Sequence, residues 1–139
     1  MNVVLDTNVL VSALMTQGGH CAVILDLAID GALNLCVDNG ILAEYRRVCR
    51  HPRLRLDEDL AQTVLDFIRD TAERVVPFPS AVELPDPDDR LFLDVARHAE
   101  AVLVTGNSKH FPPDARGTAV VMSPREFIEK LRKRSLEDG

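Results

Sequence analysis

The sequence has no hydrophobic run long enough to cross a membrane and no recognisable export signal. Its apolar stretches are only a few residues long, whereas a membrane-spanning helix needs about 20. Met1 leads directly into a strand pattern, without the basic segment and cleavable apolar segment of a secretory leader. We therefore expect a cytoplasmic protein that does not enter a membrane.

Cysteine is scarce and unsuited to cross-linking or to zinc binding. Cys21, Cys36 and Cys49 are odd in number, widely spaced and set among apolar neighbours. A zinc site built on cysteine needs paired ligand spacing, which is missing here. We interpret all three as reduced thiols of the core.

The signatures of several enzyme classes are also missing. We find no glycine-rich phosphate loop, no serine-hydrolase elbow, no H-E-x-x-H zinc motif and no dinucleotide fingerprint. The histidines are scattered, and we interpret each as a surface or capping residue instead of a ligand: His20, His51, His98 and His110.

Net positive charge is missing as well, since the formal net charge is −6. This balance argues against broad, non-specific binding of nucleic acid. The basic residues are nevertheless clustered, first at Arg46, Arg47, Arg50, His51, Arg53 and Arg55, and again at Lys130, Arg132, Lys133 and Arg134. Clusters of this kind are compatible with phosphate contacts beside an acidic pocket, or with a solvated helix face, which we favour for the second cluster.

What is present is an alternation of strand and helix patterns in a chain of 139 residues, with 46% hydrophobic residues. Helices are predicted at 7–15, 21–29, 40–50, 57–72, 88–98 and 125–132, and strands or extended segments at 2–5, 33–37, 74–76, 101–104 and 118–121. Such alternation favours parallel pairing through right-handed crossovers. We predict a single domain over 1–139, a three-layer α/β/α sandwich with a central, mainly parallel sheet.

An acid stands at the end of the first predicted strand, in the run Asp6-Thr7-Asn8. Ligands of open α/β sheets bind outside the carboxyl ends of the strands, so this carboxylate would lie in that crevice. An ordinary helix cap explains a lone aspartate equally well.

Two further acids lie at the margins of predicted buried helix faces. Glu44 falls just outside the apolar arc of its helix, and Asp89 lies beside the apolar stripe of the next-to-last one. Asp94 projects to the opposite face of that helix, where we expect it to be solvated. Helix capping explains the acids at 86–89 too, but their mutual repulsion would be relieved by a bound cation.

Uncharged polar residues follow the strand at 101–104. Thr105 and Asn107 could contact a phosphate or orient a water on a metal ion, although Gly106 and Asn107 also suit an ordinary turn. Carboxylate oxygens suit Mg²⁺ or Mn²⁺, and such ions support phosphodiester hydrolysis.

Taken in order, these motifs resemble those of PIN-domain ribonucleases, in particular the VapC-like toxins of toxin–antitoxin pairs. The resemblance covers nearly the whole chain. It rests on four segments: Val4-Leu5-Asp6-Thr7-Asn8; Glu44-Tyr45; Asp86-Pro87-Asp88-Asp89 with Phe92 and Ala96; and Leu103-Val104-Thr105-Gly106-Asn107 followed by Lys109-His110-Phe111.

The resemblance implies metal-binding catalytic carboxylates at Asp6, Glu44 and Asp89, with Mg²⁺ or Mn²⁺ as cofactor. Many members carry a fourth acid where this chain has Asn107, so the occupancy of a second metal is in question. Asp88 and Asn107 are further candidate ligands.

The family also implies an RNA substrate, an antitoxin partner and a homodimer. Substrate and water would be oriented by Thr7, Asn8, Thr105 and Asn107, and flanking phosphates would be contacted by Arg46, Arg47 and Arg50. The alternatives are a PIN-fold binding module with weak or no catalysis, motivated by Asn107, and a phosphoacceptor receiver domain, which would require an acidic pair where Asp6 stands alone.

Overall fold

The computed structural model describes residues 1–138, and its centre is a five-stranded sheet in which all strands are parallel. The strands are β1 (Asn2–Leu5), β2 (Asn34–Val37), β3 (Glu73–Arg74), β4 (Val102–Val104) and β5 (Val120–Met122). Their spatial order is β3-β2-β1-β4-β5. The predicted fold class is confirmed, although Gly139 of the predicted domain lies outside the described residues.

Six α-helices surround the sheet: α1 (Thr7–Met15), α2 (His20–Ile29), α3 (Asn39–Cys49), α4 (Glu58–Thr71), α5 (Arg90–His98) and α6 (Pro124–Asp138). Local capping fixes where two of them start. Asp38 accepts from the amide of Ile41 at 2.7 Å, and Ser123 and Glu126 form the predicted reciprocal capping box with bonds of 3.0 and 3.1 Å.

Between Met1 and Asp138, no single helix is long and apolar enough to span a bilayer. Only α1 and α2 taken together reach that length and composition, and they meet at a bend of 98°.

The strand order reverses direction at the centre of the sheet. The connections from β1 to β2 and from β2 to β3 move toward one edge, while the chain then returns to β4 and continues to β5 at the other. Right-handed crossovers of opposite direction place helices on opposite faces. The carboxyl ends of β1 and β4 therefore flank the point of reversal, where open α/β sheets form their ligand crevice.

The core is built from the central strands and the helices that cover them. Val3, Val4 and Leu103 are fully buried, and α5 packs across β1, β2 and β4. The three cysteines are free thiols, two buried and Cys21 half-buried, as predicted. Because β1 and β4 are held from both sides, their ends offer a rigid base for functional side chains.

The structure corrects the prediction around α5. The helix starts at Arg90, since Pro87–Asp89 form a separate 3₁₀ turn. The prediction that Asp94 is solvated is wrong, because its side chain is only 8% exposed. A helical projection cannot show that an irregular segment of the chain covers Asp94. The amide of Ser80 in that segment donates to Asp94 Oδ2 at 3.4 Å.

Candidate functional site

Asp6 lies at the point of reversal and is held there by donors that follow the two central strands in sequence. Its own amide donates to the carbonyl of Val104 at 2.9 Å, which fixes the end of β1 against β4. Its Oδ2 accepts from Thr105 Oγ1 at 2.8 Å and from Asn8 Nδ2 at 3.3 Å, and its Oδ1 accepts from the amide of Thr7 at 2.8 Å. Burial raises the pKa of Asp6, while these hydrogen bonds oppose the rise.

Glu44 reaches the same place from α3 through Thr7. Glu44 Oε2 accepts from Thr7 Oγ1 at 2.7 Å, and its Oε1 lies 3.5 Å from Arg47 Nη2. The Glu44 side chain is 18% exposed, so it lies against the body of the domain as predicted. Its neighbour Tyr45 is buried and donates its hydroxyl to the carbonyl of Leu5, which ties α3 to the end of β1.

Asp89 arrives from the 3₁₀ turn before α5 and is the most electrostatically perturbed of the three acids. Burial first, then the charges of Asp6 and Asp86, raise the pKa of Asp89 to about 6. His110 opposes this rise, with its Nδ1 3.0 Å from Asp89 Oδ2. This contact, an ion pair when His110 is protonated, is the one partner of the buried Oδ2 among the described residues.

The loop after β4 completes the cluster with polar, uncharged groups. The amide of Gly106 donates to Asn8 Oδ1 at 3.0 Å, and the amide of Asn107 donates to Thr105 Oγ1 at 3.0 Å. A side chain at Gly106 would approach Asn8 Oδ1 to 3.3 Å, so the glycine permits this close contact. Asn107 Nδ2 lies 2.9 Å from His110 Nε2, which links the loop to Asp89.

The other predicted residues lie at the periphery. Asp86 accepts from the amide of Asp88 at 3.0 Å, the predicted capping role, and Asp88 itself is exposed. The three arginines are exposed on or next to α3, where Arg47 pairs with Glu44 and Arg50 bonds to Gln62 at 3.3 Å. Only Arg47 contacts an acid of the cluster, and Arg50 is turned toward α4.

The structure gives a mixed answer on whether these residues fit a metal ion. Among residues 1–138, no three His, Cys, Asp or Glu side chains are grouped closely enough to hold one ion directly. The donors are nevertheless all oxygens, and Asp89 has a buried oxygen without a hydrogen-bond partner beside the charge of Asp6. Mg²⁺ retains several waters and needs only one or two direct carboxylates, so the set fits a hydrated ion.

The structure places a further residue beside the three predicted acids. The sequence predicts His110 to be a surface or capping residue; its side chain is 39% exposed and lies between Asp89 and Asn107. His110 lies three residues after Asn107, at the end of a 3₁₀ turn that follows β4. This spacing was the sequence feature that could have indicated its place beside the acids. The turn folds that ring back over the end of the strand.

The family model described as PIN domain matches residues 2–109 of the chain. This range includes all three acids of the cluster and the loop after β4. An uncharacterised protein of Methanocaldococcus jannaschii, MJ1680, is 28% identical over 144 residues, which is 96% of this chain and 93% of that protein.

Two solved structures share the fold. A VapBC2 complex from Rickettsia felis, bound to a DNA fragment from its promoter, superposes with a TM-score of 0.58 at 20% identity, over 88% of this chain and 98% of the matched one. FitAB bound to a DNA fragment gives a TM-score of 0.58 at 17% identity, over 88% and 94%. At these identities the likeness concerns the fold alone.

Proposed function

The chain belongs to the PIN-domain family, and from that premise we propose that it is a Mg²⁺- or Mn²⁺-dependent endoribonuclease that hydrolyses phosphodiester bonds of RNA. PIN domains are generally nucleases that use divalent ions, and the cluster at the ends of β1 and β4 supports this activity here. The observation that carries the proposal is the convergence of Asp6, Glu44 and Asp89 from three different elements onto the point of strand reversal. Burial and then the charges of Asp6 and Asp86 raise the pKa of Asp89, and a divalent cation would offset this electrostatic cost.

In the proposed site Asp6, Glu44 and Asp89 would hold a hydrated ion, one or two of them directly and the rest through water, with Asp88 and Asn107 as outer candidates. When bound, the ion would supply Lewis-acid activation of water and would neutralise negative charge on the phosphate. Thr105 and Thr7 fix one oxygen each of Asp6 and Glu44, so the free lone pairs of those carboxylates point in defined directions. Fixed ligands need no reorganisation during the reaction, which is the main source of electrostatic catalysis.

The surrounding polar groups would position the substrate. Asn8 and Asn107 lie just beyond the ends of β1 and β4. The exposed Arg46, Arg47 and Arg50 lie on or next to α3, the helix that carries Glu44. Guanidinium groups bind phosphate oxygens without reading the base, which suits contacts to the nucleotides that flank a cleavage point. The overall charge of −6 keeps such binding local to this patch.

We test the activity by RNA cleavage in MnCl₂ with purified wild type, Asp6→Asn and Asp89→Asn. Both variants should lose about hundredfold or more of the rate, since each removes a charged group from the reacting centre. Asp26→Asn, at an exposed position of α2, is the matched control and should cleave as wild type does. Cleavage that persists equally in all four proteins would reveal a contaminating nuclease or a different site.

A second candidate function is a PIN-fold module that binds RNA or protein with weak or no catalysis. Asn107 favours it, because an amide replaces a charged group at the site and is itself engaged with His110. Calorimetry with Mg²⁺ and Mn²⁺ separates the two candidates. RNA binding without any ion binding at millimolar concentration supports the module, whereas ion binding that Asp6→Asn abolishes supports the nuclease.

The biological role that we propose is the toxin of a toxin–antitoxin pair, acting in the cytoplasm as a single-domain homodimer. The fold is shared with the VapBC2 and FitAB complexes, both of which were solved bound to a DNA fragment. A partner antitoxin would hold this nuclease inactive. A short neighbouring reading frame that encodes a DNA-binding protein is the observation that would support this role.

A further inference from the structure

The imidazole of His110 contacts two groups of the proposed site, one on each side of its ring. Its Nδ1 lies 3.0 Å from the buried Oδ2 of Asp89, and its Nε2 lies 2.9 Å from Asn107 Nδ2. Asp89 belongs to the turn before α5, and Asn107 belongs to the loop after β4. A single side chain therefore connects an acid of the cluster to the amide at the end of the neighbouring strand.

The two partners impose opposite roles on the two ring nitrogens. An ionised carboxylate can only accept, so a lone pair on Nδ1 at this distance would repel Asp89 Oδ2. An amide nitrogen can only donate, so Nε2 must present its lone pair to Asn107 Nδ2. The neutral tautomer with its proton on Nδ1 is the form of the ring that satisfies both contacts.

This tautomer decides which end of the Asn107 amide is occupied. The side chain has a nitrogen that donates and a carbonyl oxygen that accepts. With Nδ2 bound to His110, the oxygen Oδ1 is the end left for another ligand. Amide carbonyl oxygens are ligands of hard cations and acceptors for the waters that such cations retain. A proton on Nε2 would have the opposite effect, because the amide would then turn its oxygen to the ring.

The turn that carries His110 is anchored to the domain, so the ring can impose this orientation. The amide of His110 donates to the carbonyl of Asn107 at 3.1 Å, and the amide of Phe111 donates to that of Ser108 at 3.0 Å. The Phe111 side chain is fully buried, and Arg116 Nε donates to the Phe111 carbonyl at 2.7 Å. The imidazole therefore projects from a backbone that is fixed on both sides.

We propose that His110 is a positioning residue of the site, which holds Asn107 by its amide nitrogen and thereby leaves the Asn107 carbonyl oxygen to the hydrated ion. The inference rests on the proposed function, since it assigns Asn107 a role toward the same ion. His110 itself contacts neither the ion nor the substrate. It fixes Asp89 and Asn107, the two groups on either side of it.

The first test determines the tautomer in the absence of any ion. Ring ¹⁵N resonances of His110 distinguish a protonated from an unprotonated nitrogen, and we measure them in EDTA at pH 7.5. We expect a proton on Nδ1 and none on Nε2 in wild type, and a smaller share of this form in Asn107→Ala, which lacks the donor to Nε2. A proton on Nε2 in wild type would overturn the inference and leave the proposed nuclease unaffected.

The second test measures Mn²⁺ affinity by calorimetric titration with MnCl₂. His110→Phe should weaken binding about tenfold, as is usual when a group that orients a metal ligand is removed. His110→Gln keeps a donor and an acceptor and should retain most of the affinity. The His110 side chain is 39% exposed, so neither change disrupts the core. His20→Phe, at an exposed position of α2, is the matched control and should bind as wild type does.

The two proposals fail in different ways in this titration. If Asp6→Asn abolishes Mn²⁺ binding while His110→Phe binds as tightly as wild type, the nuclease site stands and the role of His110 is overturned. If wild type binds no Mn²⁺ at millimolar concentration, the proposed function and this role are overturned together.

A double-mutant cycle determines whether His110 acts through Asn107. The loss of Mn²⁺ affinity in the Asn107→Ala, His110→Phe double variant should be smaller than the product of the two single losses, because the ring then has no amide to orient. Losses that multiply in the double variant would show that the two residues act independently, and would overturn the inference.

Discussion

Asp89 is a residue whose ionised form destabilises the folded state. Its pKa is raised to about 6, mainly by burial and then by the charge of Asp6. In the unfolded chain the pKa of an aspartate is about 3.9. The Asp89 carboxyl group therefore binds its proton more tightly in the native state than in the unfolded state. The stability that this protonated group contributes is fully present below about pH 4 and is lost as the pH rises through about 6.

Replacement of Asp89 by asparagine should remove this penalty. We expect Asp89→Asn to be more stable than wild type by about 1–2 kcal/mol at pH 7.5 in EDTA, after allowance for solvent screening of the shift. At pH 4 the two proteins should have the same stability. Urea unfolding at both pH values measures the difference, with the exposed Asp26→Asn as control. An Asp89→Asn protein that is less stable than wild type at pH 7.5 would contradict the raised pKa.

Residues at regular positions could be predicted from sequence, and residues in irregular segments could not. Asp6 follows an apolar run and Glu44 has a helical period around it, so the place of each was inferred from spacing. His110 turns back over β4 through a 3₁₀ turn, and Asp94 is covered by the segment around Ser80. Neither arrangement can be read from a periodic sequence pattern, because each depends on how an irregular segment packs against a regular element.

Among the helices, α3 is the one whose placement matters most to the site. It is attached to β1 by the hydroxyl of Tyr45, which donates to the carbonyl of Leu5 from a fully buried position. The Tyr45 ring also packs near Phe92 of α5, with centroids 6.4 Å apart. Since Glu44 is the neighbouring residue, this anchor sets the distance between its carboxylate and Asp6.

Removal of that anchor should loosen α3 without emptying the core. We expect Tyr45→Phe to lower the free energy of unfolding by about 1–3 kcal/mol, because the buried carbonyl of Leu5 loses its donor. Thr63→Val removes an exposed hydroxyl bond of α4 and should change stability by about 0.5 kcal/mol or less. Urea unfolding of the three proteins provides the comparison, and an equal effect of both substitutions would argue against the anchor.

The molecule as a whole is organised around two strands that are distant in sequence and adjacent in space. β1 and β4 are the central pair, flanked by β2 and β5, whereas β3 is an exposed edge strand of two residues. The alternation of strands and helices predicts a parallel sheet. It does not predict toward which edge of the sheet each crossover connection runs, because no local sequence pattern encodes that direction. Only the folded chain shows that the strand order reverses between β1 and β4.

This organisation predicts a gradient of local stability that hydrogen exchange can measure. The amides of Val4, Leu5 and Val104 should exchange only through global unfolding, because they lie in paired, buried strands. The amide of Arg74 in β3 should exchange orders of magnitude faster through local opening. Similar protection of β3 and β1 would show that the sheet is stabilised at its edge by a contact beyond those of the described chain.

The bond between Thr105 and Asp6 joins residues 99 positions apart. During synthesis the chain emerges from its amino end, so β1 and the helices that follow it leave the ribosome long before β4 does. Until Val102–Val104 and Thr105 have emerged, Asp6 has no strand to pair with on that side and no hydroxyl to fix its carboxylate. A nascent or prematurely terminated chain that stops before this point carries all three acids without the strand and the hydroxyl that hold Asp6 in place, so the proposed site would form only after β4 and Thr105 have been synthesised.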